Sequence, residues 1–501
     1  MRKILFSLIV LLAIGCASTL RREMAVDRFL PAADFQQAIA DLESHEKAFG
    51  GKSRLLYLLN MGALNHYAGD YEESNKYFEE AYALADELYT KSITRELAGT
   101  VSPNMRPYYG EDYEKVMVNT FMALNYLKLG ALDEALVEAR RIDKDLELLT
   151  NKYQSKNKYK SDAFGRYLAG IIQEIAGRYN DAFISYVQAY RAYKDYEKMF
   201  PFEVPDQLKR DILRLAAVLH FDDKYDDFVK EFGDEYAPPA HMDEDAGEVI
   251  AIVFAGLAPL KRELNIKHTG VDKDGKTYTF QLQIPVLVER PTSIGGVRVS
   301  CFESSSENSS GVGRSAGEVL LASGESSGED SVSTARTASP SRRRPAVSAK
   351  PGASGYAFLA QDVSAIAKKN MDDKKAVTIA KAFAAALVRY KASEKLKEKS
   401  KGKSFWGNVA KGVLIDSALE NVTHADIRCW RTLPARIFIY RKRLPPGTYD
   451  ICADFVGGLR GRYSDGEKAK MDRGDVLRRS CQDSLEIGPG SVAVCYFADF
   501  N

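Results

Sequence analysis

Between residues 60 and 190 the chain repeats one arrangement of small and aromatic residues three times, and this limits its fold more than any other feature. In the clearest copy, Ala169 and Gly170 precede Gly177-Arg178-Tyr179-Asn180-Asp181-Ala182, followed by Tyr186 and Ala189. The same frame holds at Gly62, Gly69, Tyr71, Ser74, Phe78 and Ala81. It holds again at Met122, Ala123, Tyr126, Gly130, Leu132, Ala135 and Ile142. Half-copies flank these, with Phe35, Ala38 and Leu42 before them and Tyr225, Phe228 and Phe232 after. A glycine at the turn lets two antiparallel helices connect at positive φ. Small residues let those helices approach, and large aromatics fill the hole offered by the next pair. One pair cannot bury its apolar face alone, and about three stacked pairs are needed.

This pattern resembles the tetratricopeptide repeat, which implies a helical solenoid over residues 31–236. A tandem array of that kind repeats about every 34 residues, yet turn glycines Gly69, Gly130 and Gly177 are 61 and 47 apart. The extra residues fall around 84–112 and 144–160, as long loops or helix extensions. The first insertion holds "SPNMRPYYGEDYE". Tyrosine with arginine is favoured anchor chemistry at interfaces, while Tyr108, Tyr109 and Tyr113 also read, more commonly, as plugs between irregular repeats. With Tyr126, Arg166 and Tyr167 they are the candidate partner-binding residues of the array's concave face.

Beyond residue 245 the period changes. "EVIAIVFAGLAP" suits a buried strand, and "TYTFQLQIPVLV" alternates with Tyr278, Phe280, Leu282 and Ile284 on one face. Asp274-Gly275 reads as a hairpin turn rather than a calcium loop, because the further acidic ligands are missing. Residues 303–354 are rich in serine, glycine and charge and read as a disordered insertion. Helical periodicity occupies 355–424, with an amphipathic section from Ala376 to Leu387 and a second from Phe405 to Leu419. Either section suits a membrane surface, though packing on a sheet is commoner. In the last segment, 425–501, "ARIFIYRK" reads as a buried strand whose basic residues cap its ends and guard an edge. "TYDICADF" follows with Tyr449, Ile451, Ala453 and Phe455 inward and Thr448, Asp450, Cys452 and Asp454 outward. The expected class is therefore α+β: a repeat solenoid, then a smaller sandwich-like β-rich domain formed by 246–302 and 425–501 with packed helices.

Location is written at the amino end. Arg2 and Lys3 precede an apolar run from Ile4 to Ile14, too short to span a bilayer, then Gly15-Cys16. "LLAIGCAS" resembles the bacterial lipoprotein box, which implies removal of residues 1–15, lipidation of Cys16 and a tether over 16–30. Ala17, in place of the aspartate that commonly retains lipoproteins inside, implies the outer membrane with a periplasmic orientation. Export implies an oxidising compartment. Four of the five remaining cysteines, Cys429, Cys452, Cys481 and Cys495, cluster late, so one or two bridges are expected there, while Cys301 stands apart. None has zinc-ligand spacing.

Two blocks, "YYGEDYEKVMVNTFMALNYLKLGALDEALVEARRID" and "ADIRCWRTLPARIFIYRKRLPPGTYDI", resemble an uncharacterised family of bacterial lipoproteins with tetratricopeptide repeats. That resemblance implies architecture and address rather than chemistry. The six histidines are scattered, without H-E-x-x-H, and no G-x-S-x-G elbow is present. No catalytic residue, metal site or cofactor is expected. The net charge of +1 gives no support for nucleic-acid binding. The expected role is an adaptor that docks envelope proteins on its concave face and touches the membrane through Cys16. The alternatives are a cell-surface accessory of polysaccharide export or adhesion, and an envelope hydrolase.

Overall fold

A computed structural model describes residues 26–96, 106–152, 162–200, 202–239, 243, 245–271, 275, 277–304, 352–400, 425–457 and 475–501. The lipoprotein box, most of the insertion at 303–354 and the segment at Phe405–Leu419 lie outside them.

The repeat frame forms helical hairpins. After α1 (Phe35–Ser44) come α2 (Glu46–Ala68) with α3 (Tyr71–Glu96), α4 (Asp112–Leu129) with α5 (Leu132–Lys152), and α6 (Ala163–Ile175) with α7 (Tyr179–Glu197). A further pair, α8 (Asp206–Val218) and α9 (Asp222–Phe232), ends the array. Gly69 closes the first hairpin at φ 86°, a conformation costly for any residue with a Cβ. Within the first hairpin a Cβ on Gly62 would stand 2.6 Å from the Phe78 ring. Sixteen residues separate that pair, and the same separation recurs at Gly170 and Tyr186, where a Cβ would stand 2.4 Å from the ring. A small residue on the first helix thus receives an aromatic from the second, the geometry expected of tetratricopeptide-like hairpins. The irregular spacing is taken up largely by length in the second helices, since α3 runs to Glu96 and α5 to Lys152.

Ten strands follow. β1 (Gly247–Leu257), β7 (Pro434–Leu444), β6 (Phe358–Asp362) and β10 (Val492–Asp499) form one sheet in the order β10-β1-β7-β6, with β1 parallel to β10 and antiparallel to β7. A second sheet has the order β5-β4-β8-β9, from β4 (Ile294–Glu303), β5 (Ala353–Tyr356), β8 (Gly447–Gly457) and β9 (Val476–Ile487). Val249, Ala251 and Val253 of the first sheet meet Val297, Val299, Ile451, Ala453 and Phe455 of the second, making the sandwich core. A separate hairpin of β2 (Leu260–Val271) and β3 (Thr277–Val288) stands apart from both sheets and turns by Gly275 at φ 74°. The helix that follows β6, α10 (Val363–Ser400), packs along β3.

Several expectations need correction. The helical segment expected from 355 begins with two strands, β5 and β6, because Leu359 to Asp362 pair with β7 before the chain turns into α10. The tether ends earlier than residue 30, since Val26 and Leu30 are already buried. Cys452 and Asp454 are buried rather than outward: Cys452 is bridged to Cys481, and Asp454 accepts from Arg298 and Arg479. One bridge is present among the described residues, with Cys301, Cys429 and Cys495 buried as thiols. Finally, β7 lies between β1 and β6 and has no edge to guard.

Candidate docking surfaces

The first helix of each hairpin carries an almost unbroken run of apolar residues. "SRLLYLLNMGALNH" in α2 is buried nearly throughout, and so is Tyr113 to Leu127 in α4. A helix apolar on every side needs cover on every side. The second helices supply one wall, and the sandwich supplies the other. Ile250, Ile252 and Phe254 of β1 and Ile437 and Ile439 of β7 point away from the second sheet and join the hairpins in one continuous core. Phe254 lies against His66, Tyr67 and Phe121 at ring-centroid distances of 5.3, 5.6 and 5.7 Å. Trp430 packs on Phe78 and Phe121. The polar seam matches: Tyr496 donates to the carbonyl of Leu124 at 2.6 Å, Lys128 to that of Val494 at 3.0 Å, and Tyr193 to that of Ala360 at 2.8 Å. The inner side of the array, the face expected to receive a partner, is filled by the chain's own carboxy-terminal half.

Two buried ionic knots fasten this seam. Arg441 of β7, expected as an exposed cap, donates to Asp211 of α8 at 2.9 Å and to Glu248 of β1 at 2.7 Å. It also donates to Tyr186 at 3.0 Å. Burial works to raise the neighbouring Glu174, but Arg214 and Arg441 overcome it and hold the carboxyl at about 2. The second knot is Glu111, which accepts from Lys261, Lys374 and Asn370. Burial opposes its ionisation, yet the two ammonium groups keep it well below the usual carboxylate range. Glu114 beside it accepts from Tyr108 at 2.6 Å and from the backbone of Trp430 at 3.0 Å, and burial pushes its carboxyl up.

The candidate tyrosines separate accordingly. Tyr108, Tyr113 and Tyr167 are buried, so they are not available at a surface. Tyr167 belongs to the Arg441 knot, donating to Asp211 at 2.7 Å. Tyr126 is half-buried and donates to Glu79 at 2.9 Å, while Arg166 donates to Gln188 and faces Asp143 at 3.7 Å. Tyr109 remains exposed. Buried tyrosines carrying a carboxylate partner are structural, since an aromatic ring and a hydroxyl acceptor are both satisfied inside the core.

Two other surfaces carry exposed apolar groups. On the second helices Val137 and Leu148 of α5 and Ile184 of α7 are 39, 51 and 47% exposed. They sit on an acidic half: residues 31–236 contain 36 acidic and 26 basic side chains, so the remainder of the chain is basic. The second surface is the arm formed by β2, β3 and α10, which the sequence reading took as an ordinary part of the β-rich domain. Its signal was the alternation of Leu264 and Ile266 with Glu263, Asn265 and Lys267. Among the described residues no group of three or more His, Cys, Asp and Glu side chains is arranged to hold a metal, and no helix is long and apolar enough to cross a membrane.

No family model matches the chain. No curated protein matches it either. Among solved structures the chain is similar to MamA, at 13% identity and a TM-score of 0.27, covering 41% of this chain and 91% of that one. It is also similar to nearly identical TPR-like repeats from Podosopora anserina, at 13% and 0.29 over 43 and 93% of the two chains. A third similarity is to apo RapI, at 14% and 0.28 over 40 and 51%. Likeness this slight carries no argument, and the reading of the helical half as tetratricopeptide-like rests on its own hairpin geometry.

Proposed function

We propose that the protein is a lipid-anchored scaffold of the bacterial envelope, held at the outer membrane through Cys16, that docks other envelope proteins on the outer face of its helical array. One observation carries this reading. The inner side is consumed by the sandwich, while the second helices keep Val137, Leu148 and Ile184 exposed within an acidic half of the molecule. A partner suited to that face is a protein segment presenting basic side chains around an apolar one, because a rim of opposite charge steers encounter and an apolar centre holds it. Apart from Tyr109, the expected tyrosine anchors take little part. The reading contains no catalytic step.

The test places a photo-crosslinking residue at Val137 or Ile184 in living cells. The same basic envelope protein should be trapped at both positions, and the charge-introducing Ile184→Lys variant should lose it. Recovery of nothing at either position, or turnover of cell-wall fragments by purified protein, removes the scaffold reading. Cys16→Ser with membrane fractionation tests the anchor, and protease shaving of intact cells separates a periplasmic from a surface orientation.

A further inference from the structure

The arm has one half-covered face. Alternation along β2 places Arg262, Leu264 and Ile266 on the side that faces α10. Cross-strand register sets Leu264 beside Ile284 and Ile266 beside Leu282. Leu282 and Ile284 are buried, with Leu282 covered by Ala382 and Ala386 of α10. The helix follows β3, so the β2 half of the same face is left open, with Leu264 and Ile266 44 and 40% exposed. Val271 at the far end of β2 and Val377 on the helix are more exposed still. Two strands and one helix cannot cover this strip themselves.

The arm carries a surplus of basic charge: β2, β3 and α10 hold 13 lysines and arginines against 5 acidic residues, among them Asp372 and Asp373 exposed on the helix. Arg262 is exposed on the strip's own face, Lys267 on the opposite face of β2, and Lys375 on α10. Further along the sequence, residues 389–403 hold seven lysines and arginines against two glutamates. An apolar strip flanked by basic side chains is the composition that settles into the headgroup region of an anionic bilayer.

The position of the chain's start favours a lipid surface over a protein. Asp27 accepts from Arg290, which follows β3 at the base of the arm, and from Arg431. Val26, where the described residues start, therefore lies near the arm's base, and Cys16 stands ten residues before it in the sequence. Ten residues reach at most about 35 Å. The twelve-residue strands of the arm span about 40 Å. Cysteine and arm tip thus reach similar distances from one point, so a membrane holding the first is within reach of the second.

We infer that the β2–β3–α10 arm is a second membrane contact, laying Leu264 and Ile266 into the headgroup layer of an anionic phospholipid bilayer beside the lipid anchor. This inference rests on the proposed anchoring for its setting, and it is tested without it. The mature chain from Cys16 to Asn501, made without acyl groups, is floated with vesicles of phosphatidylglycerol and phosphatidylethanolamine and, separately, of phosphatidylcholine alone. Binding to the anionic vesicles only is expected, reduced at least tenfold by Leu264→Asp with Ile266→Asp and weakened by 0.5 M salt. Both residues are exposed, so the double variant should keep its unfolding midpoint, and circular dichroism checks that it does. Failure to float with anionic vesicles, equal floating of the folded double variant, or equal floating with phosphatidylcholine overturns the inference. A Cys16→Ser protein released from cell membranes while the unacylated chain still binds vesicles supports both readings. Absence of acyl groups on Cys16 of the membrane-extracted protein, read by mass, removes the anchor and leaves the arm standing.

Discussion

Replacing Phe254 by alanine should unfold helices that lie in a different part of the chain. Phe254 is 1% exposed on β1, and three rings from α2 and α4 surround it. Removing a core phenylalanine costs about 3–5 kcal/mol, less where the site collapses and more where it cannot. Here one wall of the vacated space is a central strand paired on both sides and the other is a pair of helices backed by their own hairpin partners. Collapse is restricted, so about 4 kcal/mol is expected. With a urea dependence of about 3 kcal/mol per molar, the midpoint falls by a little over about 1 M. Two probes follow the unfolding: helical circular dichroism for the array, and fluorescence of Trp430 at the seam in a Trp406→Phe background. Because array and sandwich share one core, both midpoints should move together. A helical transition that stays in place while the fluorescence transition shifts would show that the array folds by itself and that its inner side is only loosely covered.

Three further outcomes follow, two from the same seam and one from the second sheet. Arg441→Met leaves Glu248 without its cation and Asp211 with Arg214 alone, and should cost about 3 kcal/mol, with Glu248→Gln in the same chain recovering part of it; equal unfolding midpoints would refute the knot's role. His66 is enclosed by aromatic rings, its Nδ1 2.6 Å from Asn125, and burial holds it down at about 4. Its folded value lies below the ordinary 6.5, so its contribution is present above pH 6.5 and lost as pH falls toward 4. That loss approaches about 3 kcal/mol, and urea midpoints at pH 7 and pH 5 should converge in a His66→Gln protein. The Cys452–Cys481 bridge closes a separation of 29 residues, so reduction should cost about 3–4 kcal/mol; alkylation before and after reductant, read by mass, checks that two thiols appear.

How much was legible in the sequence varies by element. The hairpins were, because Gly62, Phe78, Gly170 and Tyr186 pack within single helical pairs, and local spacing alone brings them together. The strands at 434–444 and 447–457 were, because alternation and continuous apolarity record burial one face at a time. The bare hairpin flank was missed for the opposite reason: alternation shows that Leu264 and Ile266 share a face, not whether anything covers it. Arg441 was misread because a charged residue after an apolar run looks like a strand end, and only its partners on α7, α8 and β1 make its burial tolerable.

The sequence by itself determined that this chain builds helical pairs, then sheet strands. Each of those conclusions depends on residues close together along the chain. Only the tertiary structure decided what the pairs enclose. The run in α2 that is apolar on every side requires two walls, and nothing local states whether the second is a partner protein or the same chain nearly two hundred residues later. Phe254, Trp430 and Tyr496 answer that by contact, and so move the search for partners to the outer helices and the arm.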